Sequence, residues 1–414
     1  MTTRAEAIAY DEADPLAGAV TEFVVADPDL IYLDGNSLGR LPSRTFAAIS
    51  AAALVEWGEG LVRSWHDWLD LGQRAGDRLA PLIGAGKSEV VLCDQTSLNL
   101  YKLATAALDS TPGRSIVTDN SNFPSDRYVL AEVAHRAGGV VRTIESDPIA
   151  GPTAADVVAQ LDADVGLVSL SHVAYRSGAV ADMGAITAAA HASGALTLWD
   201  LSHSVGALPV ELNRHGADLA IGCTYKYLNG GPGAPAFLFV RRSLHDDLAQ
   251  PIHGWFGHNE QFHFAPDYEP APDIRRFLVG TPSILSMQAA VEGIELCVEL
   301  GIEALRRKSQ DLTGLLIDLH DQRLASRGFR LASPRQPDRR GSHVTLLHTE
   351  AYRITKALID TGVIPDYRDP GAIRFGIAPS YISATQVWDA VDRLVTIMDT
   401  TAYTTYDVAR ERVT

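Results

Sequence analysis

Between residues 90 and 240 the chain alternates short apolar runs with longer segments of helical period. Val90-Val91-Leu92-Cys93 precedes a helix-like stretch over 97–108, residues 115–118 precede 126–137, and residues 165–170 precede 186–192. The apolar runs are too short for helices and rich in β-branched residues, which marks them as strands buried on both faces. Alternation of this kind predicts an α/β fold whose mainly parallel sheet is covered by helices on both sides. Runs at 195–200, 217–223 and 234–240 extend the sheet, and the alanine-rich 43–61 and the shorter 72–84 read as helices ahead of it.

After residue 284 the pattern changes. Helical periodicity continues to Arg323, strands follow at 329–331, 342–348 and 373–377, and further helices lie near 350 and 385. The expected division is an N-terminal arm and helix over 1–60, a large domain over 61–283 and a smaller α+β domain over 284–414. The segment 249–280 carries Pro, Gly, His and aromatics without a period. Loops of that length in a compact domain are functional or cover an interface.

Composition narrows the partner. With 35 basic against 51 acidic residues, the net charge of -16 and the lack of a basic block exclude nucleic acid and anionic membrane as expected partners. A small molecule is expected instead. The start, Met1-Thr2-Thr3-Arg4-Ala5-Glu6, shows no secretory pattern, no run approaches transmembrane length by inspection, and a cytoplasmic protein is expected. Cys93, Cys223 and Cys297 are odd in number and far apart, so neither a disulfide framework nor a metal site is implied. The five-residue spacing of His253, His258 and His263 shares no helical or strand face, and no metal is expected.

Candidate chemistry sits at strand ends, where ligands gather in parallel sheets. Lys226 closes the run 217–224 and is followed by Gly230-Gly231; the chain holds only five lysines. Asp200 closes 195–200, with His203 three residues on. A strand-end lysine can capture an aldehyde, and a strand-end aspartate can keep a pyridine nitrogen protonated; pyridoxal phosphate (PLP) chemistry needs both. Thr96-Ser97 at a strand-to-helix junction suits a phosphate, and equally suits a plain helix cap. In Asn122-Phe123-Pro124-Ser125-Asp126 the aromatic can stack on a flat ring and the acid can reach its edge, although a hydrophobic staple has the same pattern. Arg374 suits a carboxylate clamp or an ordinary salt bridge. Gly84-Ala85-Gly86-Lys87-Ser88 fails as a phosphate loop, because Pro81 stands where glycine is required and a strand follows.

Several segments in order carry a resemblance: residues 32–39 (Tyr-Leu-Asp-Gly-Asn-Ser-Leu-Gly), 122–126, 199–206 (Trp-Asp-Leu-Ser-His-Ser-Val-Gly), 225–233 (Tyr-Lys-Tyr-Leu-Asn-Gly-Gly-Pro-Gly), 254–258 (Gly-Trp-Phe-Gly-His) and Arg374-Phe375-Gly376. Over essentially its whole length the chain resembles the kynureninase family, within the fold type I (aspartate aminotransferase-like) PLP enzymes. Ser202 stands where many relatives have alanine.

The resemblance implies a catalytic set of Lys226, Asp200 and Tyr225. Phe123 would stack on the pyridine, Asp200 and Asp126 would lie near its nitrogen, and Thr96, Ser97, Ser171, His203 and Tyr225 would complete the cofactor shell. Trp255 and Thr281 would come from the partner subunit of a homodimer, and Arg374 would hold the amino-acid carboxylate. Tyr225 and a hydroxyl near Ser37 are the candidates for activating water. The implied reaction is hydrolysis of L-kynurenine to anthranilate and L-alanine, in tryptophan catabolism by the kynurenine pathway. Trp65 and Thr281 look like the apolar or small aryl-pocket residues of bacterial members, which implies that 3-hydroxykynurenine is the poorer substrate; Trp65 is otherwise a core aromatic. The rival readings are a class V aminotransferase or cysteine desulfurase, which shares the lysine but in the latter case needs a cysteine on a mobile loop, and a PLP-binding regulator, which would carry a basic DNA-binding module.

Overall fold

The computed structural model describes residues 2–409. A short strand, β1 (Ile31–Tyr32), lies in the N-terminal arm, and the large sheet contains β2 (Val90–Leu92), β3 (Ser115–Asp119), β4 (Val141–Ile144), β5 (Val165–Ser171), β6 (Leu196–Asp200), β7 (Leu219–Gly222) and β8 (Phe237–Val240). Their order across the seven-stranded sheet is β2-β8-β7-β6-β5-β3-β4. Every pairing is parallel except those of β8, which runs against both β7 and β2.

Alternate residues of each strand enter opposite cores, as a period of two requires. Val117, Val168, Trp199, Ala220 and Phe237 face one helical layer with Leu79, Ile83 and Ile186. Ile116, Leu167, Leu198, Ile221 and Leu238 face the other with Leu100, Leu103 and Leu130. Each such side chain contributes about 1.5–3 kcal/mol by leaving water. β4 escaped the hydrophobic pattern because it is the edge strand and three of its four residues are only partly buried.

In the C-terminal part, β9 (Arg330–Leu331), β10 (His343–Leu347), β12 (Asp366–Arg368) and β13 (Ala372–Gly376) form an antiparallel sheet in the order β12-β13-β10-β9, while β11 (Val363–Ile364) pairs in parallel with β1. The helical stretch expected to run to Arg323 is two helices, Ile284–Leu300 and Ile302–Leu319, because Gly301 between them has a φ of 78°. The first places Met287, Ala290 and Ile294 in the large core and Leu296 in the small one. The N-terminal arm joins the small core through Ala7, Phe23, Ile31 and Leu33.

One expectation fails. Ser43–Trp68 is 26 residues long and apolar enough to cross a membrane by length and composition, although only 11% of its most apolar window is buried. Glu56, Glu59 and Arg63 interrupt the apolar run in the sequence. The expected helix over 43–61 is α-helical only over Ser43–Ala51 and continues as wider turns over Ala52–Gly60.

Candidate active site

Lys226 follows β7, in a turn that doubles back through Asn229 and Gly231, both in the left-handed region with φ of 57° and 81°. The backbone of Gly39 lies against this turn: its N–H donates to Tyr225 O at 2.8 Å, and a β-carbon on it would come within 2.4 Å of Lys226 O. Only glycine allows that approach. The N-terminal arm therefore closes over the lysine.

The side chain of Lys226 enters a cavity of about 330 Å³ at the carboxyl ends of the central strands. Phe123, Asp126, Ser171, Asp200, His203 and Tyr225 line it, together with Thr96 and Ser97. Lys226 Nζ stands 5.9 Å from the centres of the Phe123 and Tyr225 rings and 3.3 Å from His203 Nε2. Burial and then the Lys226 and Arg374 charges push the His203 imidazole well below its usual pKa. The shift favours the neutral ring, whose Nε2 is the nitrogen that meets the lysine.

Asp200 ends β6 beside Ser171 of β5. The backbone N–H of Ser202 donates to Asp200 Oδ1 at 2.8 Å, which fixes the carboxylate. Asp126, in the first turn of the helix Pro124–Arg136, hydrogen-bonds to Asp200, and burial followed by the Asp200 charge raises its pKa well above the usual carboxyl range. Two adjacent carboxyl groups of this kind suit a ring N–H. At the other end of the cavity the helix Thr96–Ser110 starts without a side-chain cap, so its first N–H groups and the hydroxyls of Thr96 and Ser97 are available to an anion. A phosphate, a ring nitrogen and an aldehyde thus have matching groups spread around one flat cavity.

Arg374 and Ser37 lie just behind the cavity wall. Arg374 is 1% exposed, on β13, and its Nη1 donates to the carbonyl of Tyr175, a cavity residue, at 2.6 Å. Its Nη2 reaches Ser37 Oγ at 3.4 Å. Arg374 also makes a salt bridge, but to the buried Asp366 and not to a surface acid, which was the ordinary alternative. Trp255, Thr281 and Trp65 do not line this cavity. Trp255 and Trp65 pack on Phe256, with ring centres 4.7 and 6.3 Å away, and Thr281 lines a separate recess that shares Gln95 and Gly233 with the Lys226 cavity.

Sequence reasoning missed Tyr175, whose ring meets Phe123 edge-on at 5.3 Å, and the buried His343, 5.8 Å from the His203 ring. Tyr175 follows β5, and the strand-end rule could have singled it out. Nothing in the sequence marks His343. Ser202 is more than a tolerated departure: its Oγ accepts from the Cys223 N–H at 3.2 Å and ties β6 to the lysine segment.

The chain superposes on a cysteine desulfurase from Thermococcus onnurineus NA1 with a TM-score of 0.79 at 19% identity, covering 93% of this chain and 97% of that one. A structure of a C-DES mutant with glycine covalently linked to the PLP cofactor gives 0.79 at 18% identity, over 89% and 97%. At such identities the likeness concerns the fold. The architecture is that of fold type I, with Lys226 in a cavity at the carboxyl ends of the sheet.

The particular family follows from sequence. A kynureninase of Pseudomonas fluorescens is 47% identical over 408 residues, covering 96% of each chain, and one of Burkholderia mallei (strain SAVP1) is 43% identical over 414 residues, covering 97% of each. The kynureninase C-terminal domain profile matches residues 305–394. This chain belongs to the kynureninase family. The desulfurase alternative is not favoured, since all three cysteines are buried.

Proposed function

We infer that the protein hydrolyses L-kynurenine to anthranilate and L-alanine with PLP as its cofactor. The observation that carries this reading is the strand-end Lys226 facing the Asp126–Asp200 pair, in a chain that matches kynureninases over nearly its full length. When bound, PLP supplies an electron sink for the bond changes at Cα and Cβ.

The residues divide the work. Lys226 would hold the aldehyde and, when its amine is free, would be placed to move the Cα proton, with His203 Nε2 at 3.3 Å keeping it oriented. Asp200 and Asp126 would hold the proton on the ring nitrogen, Phe123 would stack on the ring, and the helix start at Thr96 and Ser97 would take the phosphate, with Ser171 completing the shell. Burial raises the Tyr225 phenol, as does neighbouring Cys223, so Tyr225 keeps its proton at neutral pH and acts as a donor to the side-chain ketone or its incoming water, with the Ser37 hydroxyl nearby. Arg374 takes the α-carboxylate through its Nη edge.

A homodimer completes the site. Supporting this are Phe46, Leu54, Trp57 and Val62, 60–75% exposed along Ser43–Trp68, a face that a second copy would cover. A bilayer is the poorer cover, because Glu56, Glu59 and Arg63 would enter it. Trp255, Thr281 and Trp65 gather around Phe256 outside their own cavity, as residues given to a partner's site would. The protein then acts as a soluble cytoplasmic enzyme. Its domains are the arm 1–60, the large domain 61–283 and the small domain 284–414, of which residue 1 and residues 410–414 lie outside the described residues. Adding L-kynurenine to the purified holoenzyme and following anthranilate fluorescence tests the activity; no anthranilate would refute it.

A further inference from the structure

The carboxylate clamp contains an acid that neither motif nor resemblance singled out. Asp366 of β12 lies opposite Arg374 of β13 in register, and its Oδ2 accepts from both Nε and Nη2 of that arginine. Both side chains are almost wholly buried, at 8% and 2% exposure. Arg368 Nε reaches the same oxygen at 3.0 Å from the edge of the sheet. A guanidinium is a rigid planar fork with a side edge, Nε and one Nη, and an end edge, the two Nη groups. Asp366 occupies the side edge of Arg374, which leaves the end edge toward Ser37 Oγ and toward the carbonyl of Tyr175, a residue that lines the cavity.

A second acid competes for the same cation. Asp34 is bridged to Gly376, two residues beyond Arg374, and its Oδ1 is buried with no hydrogen-bond partner. Burial, then the Asp366 charge, raises its pKa to about 6, against the pull of Ser37, Arg374 and Arg368. A buried carboxylate oxygen without a partner attracts any guanidinium free to turn. Asp34 would draw Arg374 away from the cavity.

We propose that Asp366 is a positioning residue: it pins the side edge of Arg374 so that the end edge meets the α-carboxylate of an amino-acid substrate, and it keeps Arg374 from turning to Asp34. This rests on the reading of Arg374 as the carboxylate clamp. The opposite role, a counter-charge that merely weakens the clamp, predicts the opposite sign, since removing it would strengthen carboxylate binding.

The test uses the PLP-loaded enzyme with L-alanine and L-alaninamide as competitors that differ only at the carboxyl group. Asp366→Ala is expected to weaken L-alanine binding and raise the KM for L-kynurenine by about tenfold, the scale of a lost charge-assisted hydrogen bond, with kcat changed less than about threefold and L-alaninamide unaffected. Adding Asp34→Asn should restore part of the L-alanine affinity, which a merely structural defect would not allow. Asp366→Asn, which keeps the side-chain volume, should shift L-alanine in the same direction by a smaller factor and secures the result if the alanine variant does not fold. Unchanged or tighter L-alanine binding in the Asp366 variants would overturn the proposal. A separate arm, Arg374→Ala, should abolish discrimination between the two competitors; if discrimination persists, the clamp itself is misassigned.

Discussion

Asp200→Asn isolates the charge at the ring nitrogen. The substitution is isosteric, and asparagine keeps the oxygen that accepts from the Ser202 N–H at 2.8 Å, so the fold and the cavity should survive. What disappears is the carboxylate facing the pyridine. A unit charge pair about 4 Å apart at an effective dielectric of about 20 is worth about 4 kcal/mol, or roughly a thousandfold in rate. Asp126 offsets part of this. Burial and, second, the Asp200 charge raise its pKa well above the usual carboxyl range, and removing that charge lets Asp126 ionise more readily in the same place. The expected loss in kcat is therefore about a hundredfold, with cofactor still bound. Asp126→Asn/Asp200→Asn should lose more than the product of the two single effects, because each acid covers for the other. Anthranilate fluorescence gives kcat, and visible absorbance of the lysine-bound cofactor confirms loading. A loaded Asp200→Asn enzyme running near the wild-type rate would refute the reasoning.

Lys226→Ala should lose both the visible absorbance and turnover, since the other four lysines lie elsewhere in the chain; normal turnover without added amines would remove the assignment. Mixed dimers of Lys226→Ala and Trp255→Ala subunits should regain activity that neither parent shows, and sedimentation of an active monomer would contradict the shared site. For L-kynurenine, kcat/KM is expected to exceed that for 3-hydroxy-L-kynurenine by about tenfold or more, because an indole wall gives the extra hydroxyl no partner and its burial costs about 1–3 kcal/mol; equal values would refute this. His343 has a folded-state pKa near 3, pushed down by burial and then by Arg374, against about 6.5 when unfolded. Below pH 6.5 the unfolded chain binds a proton that the folded one refuses, so this residue's contribution falls as pH falls. Relative to wild type, His343→Gln should therefore gain about 2 kcal/mol of unfolding free energy between pH 7.5 and pH 5.0, measured by urea titration; a pH-independent difference would show that the imidazole is not held neutral.

The sequence alone determined the strands that are buried on both faces and the residues at their ends. Such strands are continuous apolar runs, and a polar residue that stops one, Asp200 or Lys226, is conspicuous. It also set the parallel, helix-covered sheet, because each strand is followed by a helix-length segment. Its motifs led to PLP and to the kynureninase family. Other features were invisible there because their signal lies between segments distant in the chain. β4 is a half-exposed edge whose pattern is no stronger than a loop's. Asp126 and Asp200 are separated by 73 intervening residues, and only tertiary packing brings their carboxyl groups into hydrogen-bond contact. Arg374 was legible as a clamp or a salt bridge, and the structure shows that it faces Asp366 on one edge while its other edge reaches Tyr175 and Ser37. The register of β12 against β13 decided that, since a slip of one residue would turn Asp366 to the opposite face of the sheet.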